Sequence, residues 1–205
     1  MIRFPTAAEG IAAELALPVG GVLLWEAQAR AIVLPQALSH RAGFEAATSA
    51  SAARGWPLIL RGSGGGAVPQ GPGGINLALC LAVEGHSIGD IYREICAPIQ
   101  RVLAARGIRA EPGATPDSFC DGSFNLGVGG RKIVGTAQRW RAGGRALAHA
   151  LILFDPPLDE GVAAVDALHR DLGLPPIRRE VHATIRDFLP GLMPSDFVAA
   201  LKAAL

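Results

Sequence analysis

The chain has 205 residues, half of them hydrophobic and 18% charged, with a formal net charge of +1. That is enough for one substantial core and too nearly neutral to gather a phosphate backbone, so nucleic acid is excluded as a partner. No stretch approaches the roughly 20 apolar residues of a membrane span, so no membrane partner is expected, and glutamates interrupt the apolar start MIRFPTAAEGIAAELALPVGG where a signal peptide would need an unbroken core. Three widely spaced cysteines, Cys80, Cys96 and Cys120, fit neither a disulfide framework nor a zinc knuckle. The expected setting is the cytoplasm, with reduced thiols.

In chain order, the apolar runs GVLLW (21–25) and AIVL (31–34), with turn-like residues between them, predict paired strands. An alanine-rich helix is expected over 38–54, ending before Gly55. WPLIL (56–60) then reads as a buried strand entering the glycine- and proline-rich stretch RGSGGGAVPQGPGG (61–74), and INLALCLAV (75–83) as the strand leaving it. Ser87 is placed to cap a helix that carries Ile88, Ile91, Ile95, Ile99 and Leu103 at helical spacing and stops at Gly107, with Pro98 as an interior irregularity. FNLGV, RKIVGTAQRW and RALAHALILF follow as strands separated by glycine pairs, and RAGGR is a hairpin turn. A helix over 158–169, a turn over 174–176 and a serine-capped terminal helix over 195–205 complete the chain. Strands joined by tight turns are antiparallel, so the expected class is α+β: one domain over 1–205 with a central, largely antiparallel mixed sheet flanked by helices, and no separate C-terminal accessory domain.

GSGGGA (62–67) satisfies the spacing of a dinucleotide-binding loop but fails its context, because Pro69, Gly71, Pro72, Gly73 and Gly74 prevent the helix that such a loop must open. A phosphate-binding P-loop is excluded because no Gly-Lys-Ser/Thr follows. What remains is bare backbone able to adopt positive φ and to approach a slender ligand closely, beside an arginine, Arg61, suited to an anionic group; the alternative is a flexible surface loop.

The chain has only two lysines. Lys132 lies in GGRKIVGTAQRW, inside a strand and beside small residues, where its ammonium could lean over a cavity and polarise a carbonyl; the alternative is a solvated lysine on an outward face. Lys202 belongs to a terminal helix and carries no such suggestion. Among the cysteines, Cys120 in the loop SFCDGSFN is the candidate nucleophile, since Cys80 and Cys96 fall in apolar patterns and read as core. A nearby Lys132 ammonium would favour its thiolate. His149 reads as a satisfied core histidine, and His40, His86, His169 and His182 show no metal-ligand spacing. Asp117 and Asp121 are near Lys132 in sequence and could hold magnesium, but loop capping is the commoner role for such aspartates. No metal site is assigned.

RGSGGGAV followed some seventy residues later by GRKIVGTAQ resembles the lipoate-protein ligase and octanoyltransferase family, relatives of biotin-protein ligases, and the likeness runs from about Val22 to His149. The resemblance implies the sheet-and-helix fold given above and acyl transfer onto a lysine of a lipoyl carrier domain, such as glycine cleavage H protein or a 2-oxoacid dehydrogenase E2. Ser63, Gly64, Gly65, Gly66 and Ala67 would belong to the acyl-binding loop with Arg61 near the activated carboxyl end, Lys132 would contact the acyl carbonyl, and Gly135, Thr136 and Ala137 would form a small-residue wall opposite. Three routes stay open, with the ligase placed first, the transferase as its alternative and the binding protein third. A lipoate ligase would need ATP and Mg²⁺ and pass through lipoyl-AMP; a transferase would take octanoate from acyl carrier protein through Cys120 with no cofactor; a lipoate-binding protein or one subunit of a split ligase would do neither. The sequence departs from the family pattern where Leu60 precedes Arg61, at Gln70, and at Ala150 after His149, and it lacks a clear Asn-Asp pair before the lysine strand, which weakens the ATP route more than the fold.

Overall fold

The computed structural model describes residues 1–205. A seven-stranded mixed sheet carries the fold, built from β1 (Ile2–Phe4), β2 (Val22–Ala27), β6 (Gly74–Ala82), β7 (Glu111–Pro112), β8 (Leu126–Val128), β9 (Arg131–Arg141) and β10 (Arg145–Leu153). Its spatial order is β1-β2-β6-β10-β9-β8-β7, and every pairing is antiparallel except β1 with β2. A second sheet of three strands, ordered β4-β3-β5, comprises β3 (Ala31–Pro35), β4 (Leu58–Arg61) and β5 (Val68–Gln70). The α+β architecture with a largely antiparallel central sheet is therefore present.

The five helices are α1 (Ala7–Leu15), α2 (Phe44–Ala53), α3 (Ile88–Ala104), α4 (Leu158–Asp171) and α5 (Pro194–Ala204). One face of the large sheet packs its Leu24, Ile75 and Leu77 on Ile91, Ile95 and Ile99 of α3 and Phe197 of α5. The opposite face packs Trp25, Leu147 and Leu151 toward Ile32 and Leu34 of the small sheet and Val165 and Leu168 of α4. The stripe of isoleucines four residues apart on α3 is buried completely, as its periodicity requires. Ser87 and Asp90 close a reciprocal capping box at its start.

Three local expectations are corrected. β2 and β3 do not pair; β2 lies between β1 and β6, whereas β3 is buried along its whole length in the small sheet. An unbroken apolar strand needs neighbours on both sides, and β4 and β5 supply them. The helix expected over 38–54 is two pieces, a short 3₁₀ turn Gln36–His40 and then α2, with Gly43 at φ 80° as the break. α5 begins at Pro194 and its cap position is Met193, not serine, the proline pre-setting the first helical φ. The N-terminal β1 and α1 were not apparent in the sequence. By contrast the β9–β10 hairpin turns at Gly143 and Gly144, both at positive φ, as RAGGR predicts.

α1 matters for the site, and its seating explains a glycine in mid-helix. A Cβ on Gly10 would stand 2.3 Å from Cζ3 of Trp25, so the bare position lets the indole lie directly on the helix. The indole Nε1 then donates to Glu14 Oε1, one turn later, at 2.8 Å. In a free helix, alanine is favoured over glycine by about 1 kcal/mol. Here Gly10→Ala is expected to destabilise the protein by at least about 1 kcal/mol through overpacking against Trp25, read as a lower midpoint in thermal unfolding followed by circular dichroism; a higher midpoint would contradict this packing.

Candidate functional site

The site is organised by the loop between β7 and β8, which presents Cys120 in an uncommon backbone conformation. Its φ is 52°, in the left-handed region that a side-chain-bearing residue enters only when its surroundings hold it there. Three elements hold it. Lys132 Nζ, on β9 and fully buried, donates to the Phe119 carbonyl and, at 2.8 Å, to the Cys120 carbonyl. Asn125 Nδ2 donates to the same Cys120 carbonyl at 2.8 Å, while its Oδ1 accepts the Thr136 amide of β9 at 2.9 Å. His182 Nε2 accepts from the Phe119 amide at 3.2 Å, and its ring stacks on the Phe119 ring at 4.1 Å between centroids.

Charge explains these pairings. Burial pushes the Lys132 ammonium down to about 8, with Arg61 pushing the same way and Cys120 and Asp121 opposing; the two carbonyls are what make such a buried cation tolerable. His182 is pushed down to about 4, first by burial and then by Lys132. Its ring is therefore neutral near pH 7, which the geometry requires: Nδ1 donates to the Arg178 carbonyl at 2.9 Å while Nε2 accepts.

Two glycines of the loop, Gly65 and Gly66, are bare where Cys120 packs against them. A Cβ on Gly65, at φ 96°, would stand 2.7 Å from the Cys120 Sγ, and one on Gly66 would stand 3.0 Å from the Cys120 Cα. The Gly66 amide donates to Sγ at 3.2 Å. Arg61, at the end of β4, threads the loop: Nη2 donates to the carbonyls of Gly64 and Gly66 at 2.9 and 2.7 Å and lies 4.0 Å from Sγ, while Nη1 donates to Val33 of β3. Burial lowers the proton affinity of this guanidinium, and Cys120 and then Glu14 oppose the shift. The thiol thus meets an amide donor and a buried cation on one side and a lysine-clamped backbone on the other.

A second hydrogen-bonded chain reaches Arg61 from α1. Glu14, 3% exposed, accepts from Trp25 Nε1 through Oε1 and from His149 Nδ1 through Oε2 at 3.0 Å. The opposite ring nitrogen, Nε2, is 2.8 Å from Ser63 Oγ, and Ser63 Oγ in turn accepts from Arg61 Nε at 3.1 Å. A carboxylate only accepts, so the His149 proton sits on Nδ1 and the Ser63 hydroxyl donates to Nε2. This is the bonding order of a serine nucleophile, its histidine and an orienting acid. Ser63, however, does not line the adjoining cavity, whereas Cys120 does.

That cavity, about 40 Å³, lies between the two sheets. Trp25, Val33, Val68 and Leu151 give it apolar walls; Gly135, Thr136 and Ala137 of β9 form one side; Glu14, Arg61, Cys120 and His149 gather at the polar part. Gln70 and Asn76, which also line it, exchange two amide hydrogen bonds of 2.7 and 3.0 Å. Gly135 has a further use, since a Cβ there would lie 3.3 Å from Lys132 Cε and Nζ.

All the residues singled out in the sequence are thus near one another: Arg61, Cys120 and Gly135–Ala137 on the cavity wall, Ser63 to Ala67 packed behind Cys120 and Arg61, and Lys132 beneath the Cys120 carbonyl. Cys80 and Cys96 are buried elsewhere. Asp121 accepts the Thr115 amide at 2.6 Å, and Asp117 lies 3.9 Å from Arg178, so both serve the loop. Sequence reasoning missed Glu14, Asn125 and the loop-holding part of His182. Only Glu14 left a signal: an acid one helical turn after Gly10 in an otherwise apolar run.

Comparison with known proteins gives the family and the fold. The chain matches the family described as lipoyl protein ligase A/B catalytic domain over residues 19–205. It is 36% identical over 148 residues to an octanoyl-GcvH:protein N-octanoyltransferase of Kyrpidia tusciae, covering 67% of this chain and 51% of that protein. It is 40% identical over 148 residues to an uncharacterised protein of Cupriavidus necator, covering 63% and 58% respectively. The chain therefore spans little more than half the length of these relatives. In fold it is similar to a lipoate-protein ligase A bound with ATP (TM-score 0.77, 20% identity, covering all of this chain and 81% of that one). It is also similar to a bi-partite lipoate protein ligase of Thermoplasma acidophilum (TM-score 0.71, 18% identity, all of this chain and 80% of that one). The chain belongs to the lipoyl protein ligase A/B catalytic domain family.

Proposed function

We propose that this protein transfers a medium-chain acyl group of the octanoyl or lipoyl type to a lysine of a lipoyl carrier domain, holding it in between as a thioester on Cys120. The observation that carries the proposal is the Cys120 thiol on the cavity wall, under the Gly66 amide and beside the Arg61 guanidinium. The activity for which the Kyrpidia relative is named, octanoyl transfer from GcvH, supports the same route. A carrier-bound octanoyl group is accordingly the donor class favoured, whether it arrives on a protein lysine or as an acyl carrier protein thioester.

In the first half-reaction Cys120 sulfur attacks the acyl carbonyl carbon; the carbon–sulfur bond forms, the bond to the donor nitrogen or sulfur breaks, and the thiol proton leaves with the donor. In the second, the acceptor lysine amine attacks the thioester carbon; the carbon–nitrogen bond forms, the carbon–sulfur bond breaks, and the amine proton returns to sulfur. Lys132 and Asn125 act one step removed, holding the Cys120 carbonyl and with it the left-handed turn that aims the thiol. The apolar walls between Trp25 and Leu151 suit the acyl chain, and they keep water from the thioester.

An ATP-dependent ligase finds less support. Asp121, the acid nearest the lysine strand in sequence, is turned to a backbone amide. Lys132 already directs its ammonium to two carbonyls, which leaves it less to offer an incoming phosphate.

Three outcomes test the proposal. Cys120→Ser is expected to lower transfer from an octanoylated carrier by at least about 10³-fold with an unchanged circular dichroism spectrum; transfer at the wild-type rate, or transfer that needs ATP, would overturn it. Ser63→Ala, which releases Arg61 Nε, is expected to lower kcat by about tenfold with little change in KM for the acyl donor, and unaltered kcat would remove the α1 chain from the account. The rate is expected to fall as pH rises through about 8, where Lys132 loses its proton. Because the folded value lies below the unfolded one, the cost of burying the ammonium disappears over that interval and stability rises with pH; a falling rate in a more stable protein reports the site and not unfolding. A rate still rising well above pH 8 would contradict this role for the ammonium.

A further inference from the structure

The face of the sheet that lines the cavity does not end with it. Along β9, alternation puts Gly135, Ala137, Arg139 and Arg141 on one face. Their partners across the ladder on β10 are Leu151, His149, Leu147 and Arg145. Two small residues and a histidine at the cavity are therefore followed, toward the hairpin tip, by three arginines on the same face.

None of the three forms an ion pair with any acid of this chain. Arg139 spends one N–H on the Gly62 carbonyl at 3.0 Å, and Arg141 spends one on the Leu15 carbonyl at 3.0 Å, at the end of α1. These contacts pin the strip to the glycine loop on one side and to α1 on the other, the two segments that bound the cavity; Arg139 is exposed, and Arg141 and Arg145 are half-buried. Arg145 stands directly opposite Arg141. Like charges facing each other across a ladder destabilise it, and neither arginine has an acid of this chain within ion-pair distance. Leu15, 42% exposed, adds an apolar contact at the edge.

Resting on the function proposed above, we infer that Arg139, Arg141 and Arg145 form the docking surface for an acidic face of the folded carrier domain, next to the lysine that is acylated. The commitment to a carrier domain follows from position: the strip continues the cavity's own face, so a protein delivering a lysine side chain to Cys120 must cover it. It also follows from charge, since a chain of net charge +1 concentrates three unpaired cations there. Rim charges of this kind govern encounter and KM more than the chemical step.

The test compares the wild type with Arg141→Glu/Arg145→Glu and with the neutral Arg141→Ala/Arg145→Ala, leaving Arg139 and its loop contact intact. Three readouts are taken: acylation of Cys120 by a small octanoyl thioester, transfer from Cys120 to a lipoyl carrier domain, and direct binding of the unmodified carrier domain by titration calorimetry at low and high salt. The expected result is Cys120 acylation within about twofold of wild type in both variants. For the charge-reversed variant, KM for the carrier is expected to rise at least about tenfold and the salt dependence of binding to be lost, with a smaller change for the neutral one. Carrier binding and KM unchanged in both variants would overturn the docking surface. Failure of wild-type Cys120 to become acylated, with carrier binding still sensitive to the arginines, would instead overturn the thioester function and leave the surface standing.

Discussion

The left-handed turn at Cys120 is the constraint from which the rest of the site follows. A residue with a side chain does not rest at φ 52° unheld, and the means of holding it account for most of the unusual features of the chain. Lys132 and Asn125 take its carbonyl, His182 takes the amide before it, and the glycine loop gives up side chains at Gly65 and Gly66 so that its backbone can lie against the cysteine. The glycine-rich stretch thus resembles a nucleotide-binding loop in composition but has a different physical purpose. At Gly65 and Gly66 it is shaped to the Cys120 turn.

The second consequence concerns charge inside the protein. Lys132 and Arg61 are both buried, and each is tolerated through backbone carbonyls in place of a carboxylate. A carboxylate beside the thiol would have repelled its negative form. The one buried acid, Glu14, is kept a step away, tied to Trp25 and His149 and reaching Arg61 only through Ser63. In this way α1, the small sheet and the large sheet are joined at a single arginine, and the cation is delivered to the sulfur with its geometry fixed from three sides.

How much of this was legible in the sequence follows from how local each signal is. The α3 stripe, the β9–β10 hairpin and the lysine strand were readable because periodicity and turn residues act over a few positions. The pairing of β2 with β3 was misread because adjacency in sequence is a poor guide when the intervening residues do not make a tight turn, and because the partners of β3 arrive more than twenty residues later. α1 was hidden by its content: a glycine that packs on a tryptophan and a glutamate that is buried both look like interruptions of a helix until their partners are known. Asn125 and His182 act through backbone amides and carbonyls, which leave no mark on the sequence of their partners. Cys120 and Lys132 stood out for a different reason, the one as a loop cysteine among core cysteines and the other as one of two lysines.

The central claim is that the acyl group rests on Cys120, and trapping it there is the most direct test. The protein is mixed with an octanoylated carrier domain in the absence of ATP, quenched in acid within one turnover, and digested for peptide mass analysis. The account predicts an octanoyl mass on the peptide containing Cys120, lost on treatment with neutral hydroxylamine as a thioester should be. An unmodified Cys120 peptide alongside an acylated acceptor, or an acyl-adenylate formed only when ATP is supplied, would contradict it.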